Sequence, residues 1–373
     1  MRVAAAGKFP YLGAEMQADR MDGTDKKLLN LLQTEVPIAP QPWGVVGERL
    51  GGVGEAKVME RVRALKAAKI IRQISAIFDT RSLSYESSLV SAQYDSARLD
   101  PAAAIVNAHP GVSHNYQRNH AFNLWYTIAV SPDSRLGLER TVQVLHETSG
   151  ARSTRLLPTL HLFKIGVELD IEGTAKLCEK KPGGYTHKDR KTADTSLTDL
   201  EIRFVREMQK DLAIEPEPFV ATASRLGVSL EELQRIAAAM IENGRMRRFS
   251  AVLRHREVRF AANAMGVWAA RGTEAEILAA GEKMAAFRAV THCYRRPTYP
   301  DWPYNLFTMV HGRTPAECEA VLAEISKETG VANHAALYST KEYKKTRVEY
   351  FTDAEQEWER RYIAADTPKN VVK

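Results

Sequence analysis

Apolar residues recur at helical spacing near the start of the chain. The leucines at 28 to 32 would share one face of a first helix, and Val58, Val62 and Leu65 keep the same spacing in a second. A glycine-containing turn lies between these segments, and a β-rich stretch at 70 to 79 follows them. The pattern predicts a helix-turn-helix followed by a β wing.

The same pattern returns in the second half of the chain. SLEELQRIAAAMIENGRM begins with Ser229, a candidate N-cap, and Gly244 near its end can terminate a helix. The stretch FSAVL that follows matches ISAIF of the first wing. A second winged helix-turn-helix is therefore predicted.

Each of these modules precedes segments in the order strand, helix, strand, strand, helix, strand. In the first copy they are SLSYESSLVSAQY, DPAAAIVNAH, GVSHNYQRNH, FNLWYTIAVS, RLGLERTVQVLHETSG and RLLPTLHLFKIGV. This βαββαβ order is typical of a ferredoxin-like domain. The predicted fold class is α+β.

The two halves of the chain resemble each other from end to end. Four segments of the first half align with segments of the second: TDKKLLNLLQ with TDLEIRFVRE, ISAIFDTRSLSY with FSAVLRHREVRF, HETSG with KETG, and LPTLHLFK with LYSTKEYK. A tandem duplication explains these matches. The stretch between the copies is polar and contains Pro182, Gly183 and Gly184, as linkers do.

These patterns divide the chain into seven regions. They are a flexible arm (1–20), winged helix-turn-helix 1 (21–80), ferredoxin-like domain 1 (81–170), a linker (171–196), winged helix-turn-helix 2 (197–255), ferredoxin-like domain 2 (256–350) and a C-terminal tail (351–373). The tail is expected to form a short charged helix before it becomes disordered, and neither the tail nor the arm is expected to carry function.

Composition narrows the class of protein. The chain has 373 residues, of which 44% are hydrophobic and 26% charged, as in ordinary globular proteins. No apolar run approaches the roughly 20 residues that span a membrane, and the first residues lack the apolar core of a secretory signal. The three cysteines are far apart and do not indicate a metal site. We expect a cytoplasmic protein, and the formal charge of +6 is compatible with an anionic partner.

A row of reactive side chains accompanies the first predicted hairpin. His114, Tyr116, Arg118 and His120 stand at every second position, so they would face one side of a strand while Ser113, Asn115, Gln117 and Asn119 face the other. The second copy repeats the row with His292, Tyr294 and Arg296. A lone histidine on a strand is more often structural, but repetition of the row in both copies favours a function for at least one of the two histidines.

A winged helix-turn-helix followed by a βαββαβ module resembles the Lrp/AsnC family of transcription regulators over nearly the whole of each half. That resemblance implies DNA binding, yet the second recognition helix would begin with Glu231 and Glu232, which would repel the phosphate backbone. DNA is therefore an unexpected partner.

The paired signatures SHNYQR with FNLW, and THCYRR with WPYNLF, are similar to those of the siroheme decarboxylase family, a relative of these regulators in which two subunits are sometimes fused. The resemblance covers roughly residues 21 to 350. It implies removal of carbon dioxide from the two pyrrole acetate groups of siroheme, at C12 and C18, to give 12,18-didecarboxysiroheme for heme d1 or alternative heme biosynthesis. It also implies a pseudo-heterodimer of the two halves, with further self-association left open.

Roles for individual residues follow from that chemistry. His114 and His292, assisted by Tyr116 and Tyr294, can supply the proton that replaces carbon dioxide. Arginine binds carboxylates bidentately, which makes arginines the first substrate-binding candidates. The substrate-binding candidates are Arg118, His120, Asn123, Arg295, Arg296, Tyr304 and Asn305.

Several alternatives remain open. The repeated Asn123 and Asn305 must bond either backbone or ligand, and Phe122, Trp125, Tyr304 and Phe307 suit a core or a pocket wall. An insertion around Pro300 to Pro303 makes the copies unequal. No cofactor or metal is expected beyond the siroheme iron, which His114, His120 or His292 could contact axially. The competing functions are a regulator that senses a heme-like effector and a tetrapyrrole carrier without catalysis.

Overall fold

The computed structural model describes residues 21–165, 196–253 and 262–363. Outside the described residues lie the predicted arm (1–20), nearly all of the predicted linker (171–195), the boundary predicted at 255 and 256, and the end of the predicted tail (364–373). Within the described ranges, no helix combines the length and apolar character that crossing a membrane requires.

The first copy forms helices and strands in the predicted order. They are α1 (Gly23–Thr34), α2 (Pro42–Arg49), α3 (Glu55–Ala67), β1 (Ile71–Phe78), β2 (Glu86–Gln93), α4 (Leu99–Asn107), β3 (Val112–Arg118), β4 (Leu124–Val130), α5 (Gly137–Ser149), β5 (Ser153–Leu157) and β6 (His161–Ile165). The last predicted strand is divided in two, because Pro158 cannot donate a ladder hydrogen bond at that point.

The second copy repeats this order. Its elements are α6 (Asp199–Met208), α7 (Pro218–Leu226), α8 (Leu230–Glu242), β7 (Met246–Leu253), β8 (Ala262–Trp268), α9 (Glu274–Ala286), β9 (Val290–Arg295), β10 (Leu306–Gly312), α10 (Pro315–Thr329) and β11 (His334–Lys345). One further helix, α11 (Ala354–Ile363), lies within the predicted tail.

One compact unit combines the helix-turn-helix modules of both copies. It comprises the described parts of 1–78, 203–242 and 246–258. The two wings, β1 and β7, pair with each other as antiparallel strands, with Ser75 opposite Ser250. Each wing therefore lies against the wing of the other copy.

A nine-stranded sheet forms the second unit, in the order β5-β2-β4-β3-β11-β8-β10-β9-β6. The strands β5-β2-β4-β3 and β11-β8-β10-β9 each give a ferredoxin-like order, in which the fourth and first strands of a copy are neighbours and the third and second follow. The predicted ferredoxin-like fold is confirmed in both copies.

The two copies exchange strands within this sheet. The second half of β11 pairs with β3, so that a strand of the second copy borders the first, while its first half pairs with β8. Reciprocally, β6 of the first copy pairs with β9 of the second. Backbone hydrogen bonds thus join the copies along two strand edges.

Four described helices of the second unit pack on one face of this sheet. Helices α4 and α5 pack on the core of the first copy, and α9 and α10 on that of the second. On the opposite face, here called the inner face, side chains of both copies form one apolar cluster that includes Trp125, Leu157, Val267 and Phe307. Trp125 and Phe307, which were expected in a core or a pocket wall, are both buried in this cluster.

The C-terminal helix α11 packs on the core of the first copy through buried Trp358. Glu355 accepts hydrogen bonds from the backbone N–H of Ser131, and Glu359 accepts them from the N–H groups of Arg135 and Leu136 at the start of α5. The charged helix expected in the tail is present. Its buried carboxylates were not anticipated.

Candidate active site

The two predicted rows lie on the inner face of the sheet. Asn115 donates to Asn107 of α4 at 2.9 Å, and Cys293 points toward Gly281 of α9, so these two side chains face the helices. Their strand neighbours therefore face the other way. The row residues on this inner face are His114, Tyr116 and Arg118 in the first copy, and His292, Tyr294 and Arg296 in the second.

Each histidine lies beside the tyrosine of its row and contacts a hydroxyl from the preceding residue. The ring centroids of His114 and Tyr116 are 6.2 Å apart, and those of His292 and Tyr294 are 6.1 Å apart. Nδ1 of His114 lies 3.1 Å from Oγ of Ser113. The expectation that Ser113 faces away from His114 was wrong, because the strand is irregular at this point.

The row arginines are buried and bind backbone. Nη1 of Arg118 donates to the carbonyl of Leu337 at 2.9 Å, and Nη1 of Arg296 donates to that of Leu157, so each arginine reaches a strand of the other copy. Burial lowers the pKa of each guanidinium to about 10. Nε of each finds no partner among the described residues. Each guanidinium therefore holds one buried N–H without a hydrogen bond to the described residues.

Aromatic rings flank both guanidinium groups. The Arg296 guanidinium carbon lies 4.7 Å from the centroid of the Tyr294 ring and 5.4 Å from that of Phe307, and that of Arg118 lies 5.9 Å from the centroid of Tyr116. Such contacts stabilise a cation where water is scarce. The rows therefore keep positive charge next to the tyrosines.

Arg81 is a cation near Arg296 that the sequence pattern did not single out. It lies close enough to lower the pKa of Arg296, an effect secondary to burial and opposed by Tyr294. Its Nη2 approaches the carbonyl of Thr159 at 3.5 Å. Arg81 belongs to a loop between β1 and β2, and no periodic pattern marks it.

The structure does not bring Arg295 to the row. Arg295 alternates with Tyr294 and Arg296, and its guanidinium forms an ion pair with Glu274 at the start of α9. The substrate contact predicted for Arg295 stays a prediction. Its position next to Arg296 in sequence places it on the helix side of the strand.

Asn123 and Asn305 bind backbone in the same way. Nδ2 of Asn123 donates to the carbonyl of Tyr94 at 2.8 Å, while its Oδ1 accepts from the Tyr94 N–H at 3.0 Å. Asn305 forms the same pair of bonds with Ala270, both at 3.0 Å. Each amide thus ties the start of a hairpin strand to the end of a neighbouring strand. The sequence left open whether these asparagines bond backbone or ligand, and the observed contacts are with backbone.

His120 and Tyr304 contact the aromatic cluster around Trp302. His120 lies in the turn beyond β3, where Nδ1 accepts from the N–H of Phe122 at 3.0 Å and burial lowers the pKa of the ring. Its centroid is 5.3 Å from that of Trp302, and that of Tyr304 is 5.0 Å away. The buried indole Nε1 of Trp302 has no partner among the described residues.

The insertion of the second copy reaches across to the first. Tyr299 and Trp302 pair through their backbones, and Asp301 accepts two hydrogen bonds from Arg155 of β5, at 2.8 and 2.7 Å. The Tyr299 hydroxyl donates to the carbonyl of Leu156 at 2.6 Å. The insertion therefore bonds to the edge strand β5 of the first copy, and its Trp302 packs in the apolar cluster of the inner face.

No group of three or more His, Cys, Asp or Glu side chains that could hold a metal ion occurs in the described part of the chain. The row histidines lie with tyrosines and arginines instead. This arrangement can position an anionic molecule and exchange protons with it.

The fold and the paired rows define a tandem protein of the AsnC-like ligand-binding class. The family model described as "AsnC-like ligand binding domain" matches residues 82–164 and 258–344, and "Siroheme decarboxylase NirDL-like HTH domain" matches 25–72. A siroheme decarboxylase of Hydrogenobacter thermophilus is 38% identical over 339 residues, which cover 91% of this chain and 98% of that protein. The chain belongs to the siroheme decarboxylase family.

Two further comparisons also match this chain to siroheme decarboxylases. The crystal structure of the siroheme decarboxylase NirDL in complex with an iron-uroporphyrin III analogue superimposes on this chain with a TM-score of 0.72 at 33% sequence identity. The superposition covers 92% of this chain and 99% of the NirDL chain. The siroheme decarboxylase beta subunit of Methanosarcina barkeri is 43% identical over 148 residues, which are 40% of this chain and 96% of that subunit. That subunit therefore corresponds to about two fifths of the present chain.

Proposed function

We propose that this chain removes carbon dioxide from the acetate groups at C12 and C18 of siroheme and forms 12,18-didecarboxysiroheme. The observation that carries the proposal is the repeated row of His, Tyr and buried Arg on one inner face shared by the two copies, in a chain of this family. Overall, this reaction is a carbon–carbon lysis in which a proton replaces carbon dioxide.

The chemical step needs an electron acceptor and a proton donor. When the bond between the acetate methylene and its carboxylate carbon breaks, the electron pair remains on the methylene carbon and delocalises into the pyrrole ring. A proton then forms the new methyl group. His114 and His292 are the proposed donors, and Tyr116 and Tyr294 the proposed assistants, because histidine exchanges protons near neutral pH.

Substrate carboxylates would bind next to these donors. Arg118 and Arg296 carry their charge beside the row tyrosines, and the buried Nε of each has no partner among the described residues. A hydrogen bond to a charged group is worth about 1.5–3 kcal/mol. The carboxylates that remain on the macrocycle, rather than those that leave, are the proposed ligands of these arginines.

Charge pairing in the helix-turn-helix unit supports the proposal that DNA is not the partner. The cations of α3 bond within the unit: Arg61 to Asp22 and Asp25, Arg63 to the Ile214 carbonyl, Lys66 to Asp211 and Lys57 to Glu60. Phosphate contacts would have to displace these bonds. We propose that the unit holds the two halves together, in the cytoplasm.

Anaerobic incubation with siroheme followed by mass spectrometry tests the proposed function. We expect loss of two carbon dioxide molecules from the parent protein, and loss of neither from a His114→Ala, His292→Ala double variant. His334→Ala is a matched control, since His334 stacks on Trp268 outside both rows. Tight binding of unchanged siroheme by the parent would instead identify a carrier or a sensor.

A further inference from the structure

Both row histidines contact the side chain of the residue immediately before them. Nδ1 of His114 lies 3.1 Å from Oγ of Ser113, and Nδ1 of His292 lies 2.9 Å from Oγ1 of Thr291. In a regular strand, adjacent side chains point to opposite faces, so such contacts require a local irregularity.

A register shift is present at the same place in each copy. Val112 lies opposite Ile128 but His114 lies opposite Thr127, which leaves Ser113 as an extra residue. In the second copy Val290 lies opposite Val310 and His292 opposite Met309, which leaves Thr291. A β-bulge of this kind re-aims side chains, and bulges are enriched next to active sites.

The contacts of Thr291 favour one position for the proton of His292. Oγ1 of Thr291 lies 3.3 Å from the carbonyl oxygen of Met309, which can only accept, and 2.9 Å from Nδ1 of His292. Both contacts are hydrogen bonds at once only when Oγ1 donates to the carbonyl and accepts from Nδ1. In that arrangement a neutral His292 carries its proton on Nδ1, and Nε2 is the unprotonated ring nitrogen.

The first copy is less constrained. Oγ of Ser113 contacts Oγ1 of Thr127 at 2.8 Å, and either hydroxyl can donate. Ser113 can consequently donate to Nδ1 of His114 or accept from it. The hydroxyls of the two copies occupy equivalent positions, but among the described residues only that of the second lies within hydrogen-bonding distance of a backbone carbonyl.

We propose that Ser113 and Thr291 are positioning residues for the row histidines, and that Thr291 holds the neutral His292 ring with its proton on Nδ1. This inference rests on the proposed function for its catalytic consequence. The assignment of the proton itself does not depend on catalysis.

Nitrogen NMR of the full chain with labelled histidine measures the proton position directly, with His292→Gln to assign the signal. We expect the Nδ1-protonated form of His292 in the parent and in Thr291→Ser, and a mixture of both neutral forms in Thr291→Val. An unprotonated Nδ1 in the parent, or a Val variant identical to the parent, would overturn the inference.

Single-turnover rates on pre-bound siroheme give the catalytic readout. Thr291→Val should slow the reaction roughly 3- to 10-fold, as expected for loss of one ordinary hydrogen bond, with siroheme affinity unchanged and the rate restored in Thr291→Ser. An equal loss in the Ser variant would indicate that only the threonine methyl matters and would contradict positioning. If the parent itself leaves siroheme intact, the proposed function fails, while the NMR result still decides the position of the proton.

Discussion

The two histidine rows share their internal contacts but differ in the strand that borders them. In the first copy β11 places Glu342 opposite Tyr116 and Lys345 opposite His114. In the second, β6 places Leu162 opposite Tyr294 and Ile165 opposite His292. Directly opposed residues in a sheet share a face. One row therefore has a charged border and the other an apolar one.

This difference arises from the exchange of strands, because each border belongs to the other copy. A carboxylate next to His114 would meet an ammonium group, whereas a carboxylate next to His292 would lose water against aliphatic side chains. Poor solvation of a carboxylate favours the neutral carbon dioxide that leaves. We therefore expect the second row to dominate the chemistry and the first to contribute more to binding.

The largest predicted effect separates the two histidines. His292→Ala should slow single-turnover decarboxylation on pre-bound siroheme by about 10²–10⁴-fold, the usual contribution of general acid–base assistance. His114→Ala should be only mildly impaired once the protein is saturated. If both variants decarboxylate siroheme at the rate of the parent protein, the two histidines have a structural role and the proton comes from tyrosine or water.

Conversion of a row arginine to lysine should affect stability and binding together. Arg118→Lys and Arg296→Lys keep the charge but lose the planar fork that reaches the Leu337 and Leu157 carbonyls. We expect each to cost about 1.5–3 kcal/mol, measured as siroheme affinity and as the free energy of unfolding in denaturant. A variant that loses stability but binds siroheme normally would show that its arginine joins the copies without touching substrate.

The helix α11 gives the first copy a pH-dependent contact. Burial raises the pKa of Glu355 to about 7, with Glu359 and Asp133 contributing in the same direction and the Ser131 N–H opposing them. A carboxyl whose folded-state pKa is raised contributes stability that is fully present below its ordinary value of 4.5 and is lost as pH rises through about 7.

Glu355→Gln should remove this dependence. We expect the parent to lose about 1–2 kcal/mol of unfolding free energy relative to the variant between pH 4.5 and 7. Denaturant unfolding at a series of pH values provides the measurement, and Glu357→Gln, on the same helix, is the control. Parallel pH profiles for parent and Glu355→Gln would exclude Glu355 as the titrating group.

The smallest predicted effect concerns the charged border itself. Lys345→Met makes the first row resemble the second and should weaken siroheme binding by about 0.5–1 kcal/mol, the range for an exposed charge. Lys341→Met is the matched control, because Lys341 lies on the same strand opposite Gln117 and bonds Asp100 of α4, on the face that the helices cover. If both variants bind equally well, the charged border has no part in recognition.

Periodicity in the sequence was enough to predict the ferredoxin-like domains, the duplication and the inner-face rows. It could not show where periodicity fails. In the sequence, Ser113 and Thr291 alternate with the row histidines and would face the opposite side of the strand. Each instead lies in a β-bulge, which depends on how its strand pairs with β4 or β10. The boundaries predicted between the modules stay predictions.

Contacts between distant parts of the chain were equally hidden. Arg81 approaches Arg296 although 81 and 296 lie in different copies, and no pattern in either copy links them. The amides of Asn123 and Asn305 fit ligand or backbone equally well in sequence, and only the nearby Tyr94 and Ala270 backbones decide between the two. Such choices depend on tertiary neighbours.

Strand exchange also determines how each half of the chain would behave if it were produced alone. A first copy expressed alone would expose the edge of β3 that β11 covers, and a second copy alone would expose the edge of β9 that β6 covers. Open edges of this kind recruit other chains, so isolated halves should self-associate or aggregate. Fusion into one chain gives each edge its partner at a millimolar effective concentration, and assembly of the shared face then becomes independent of how much protein is present.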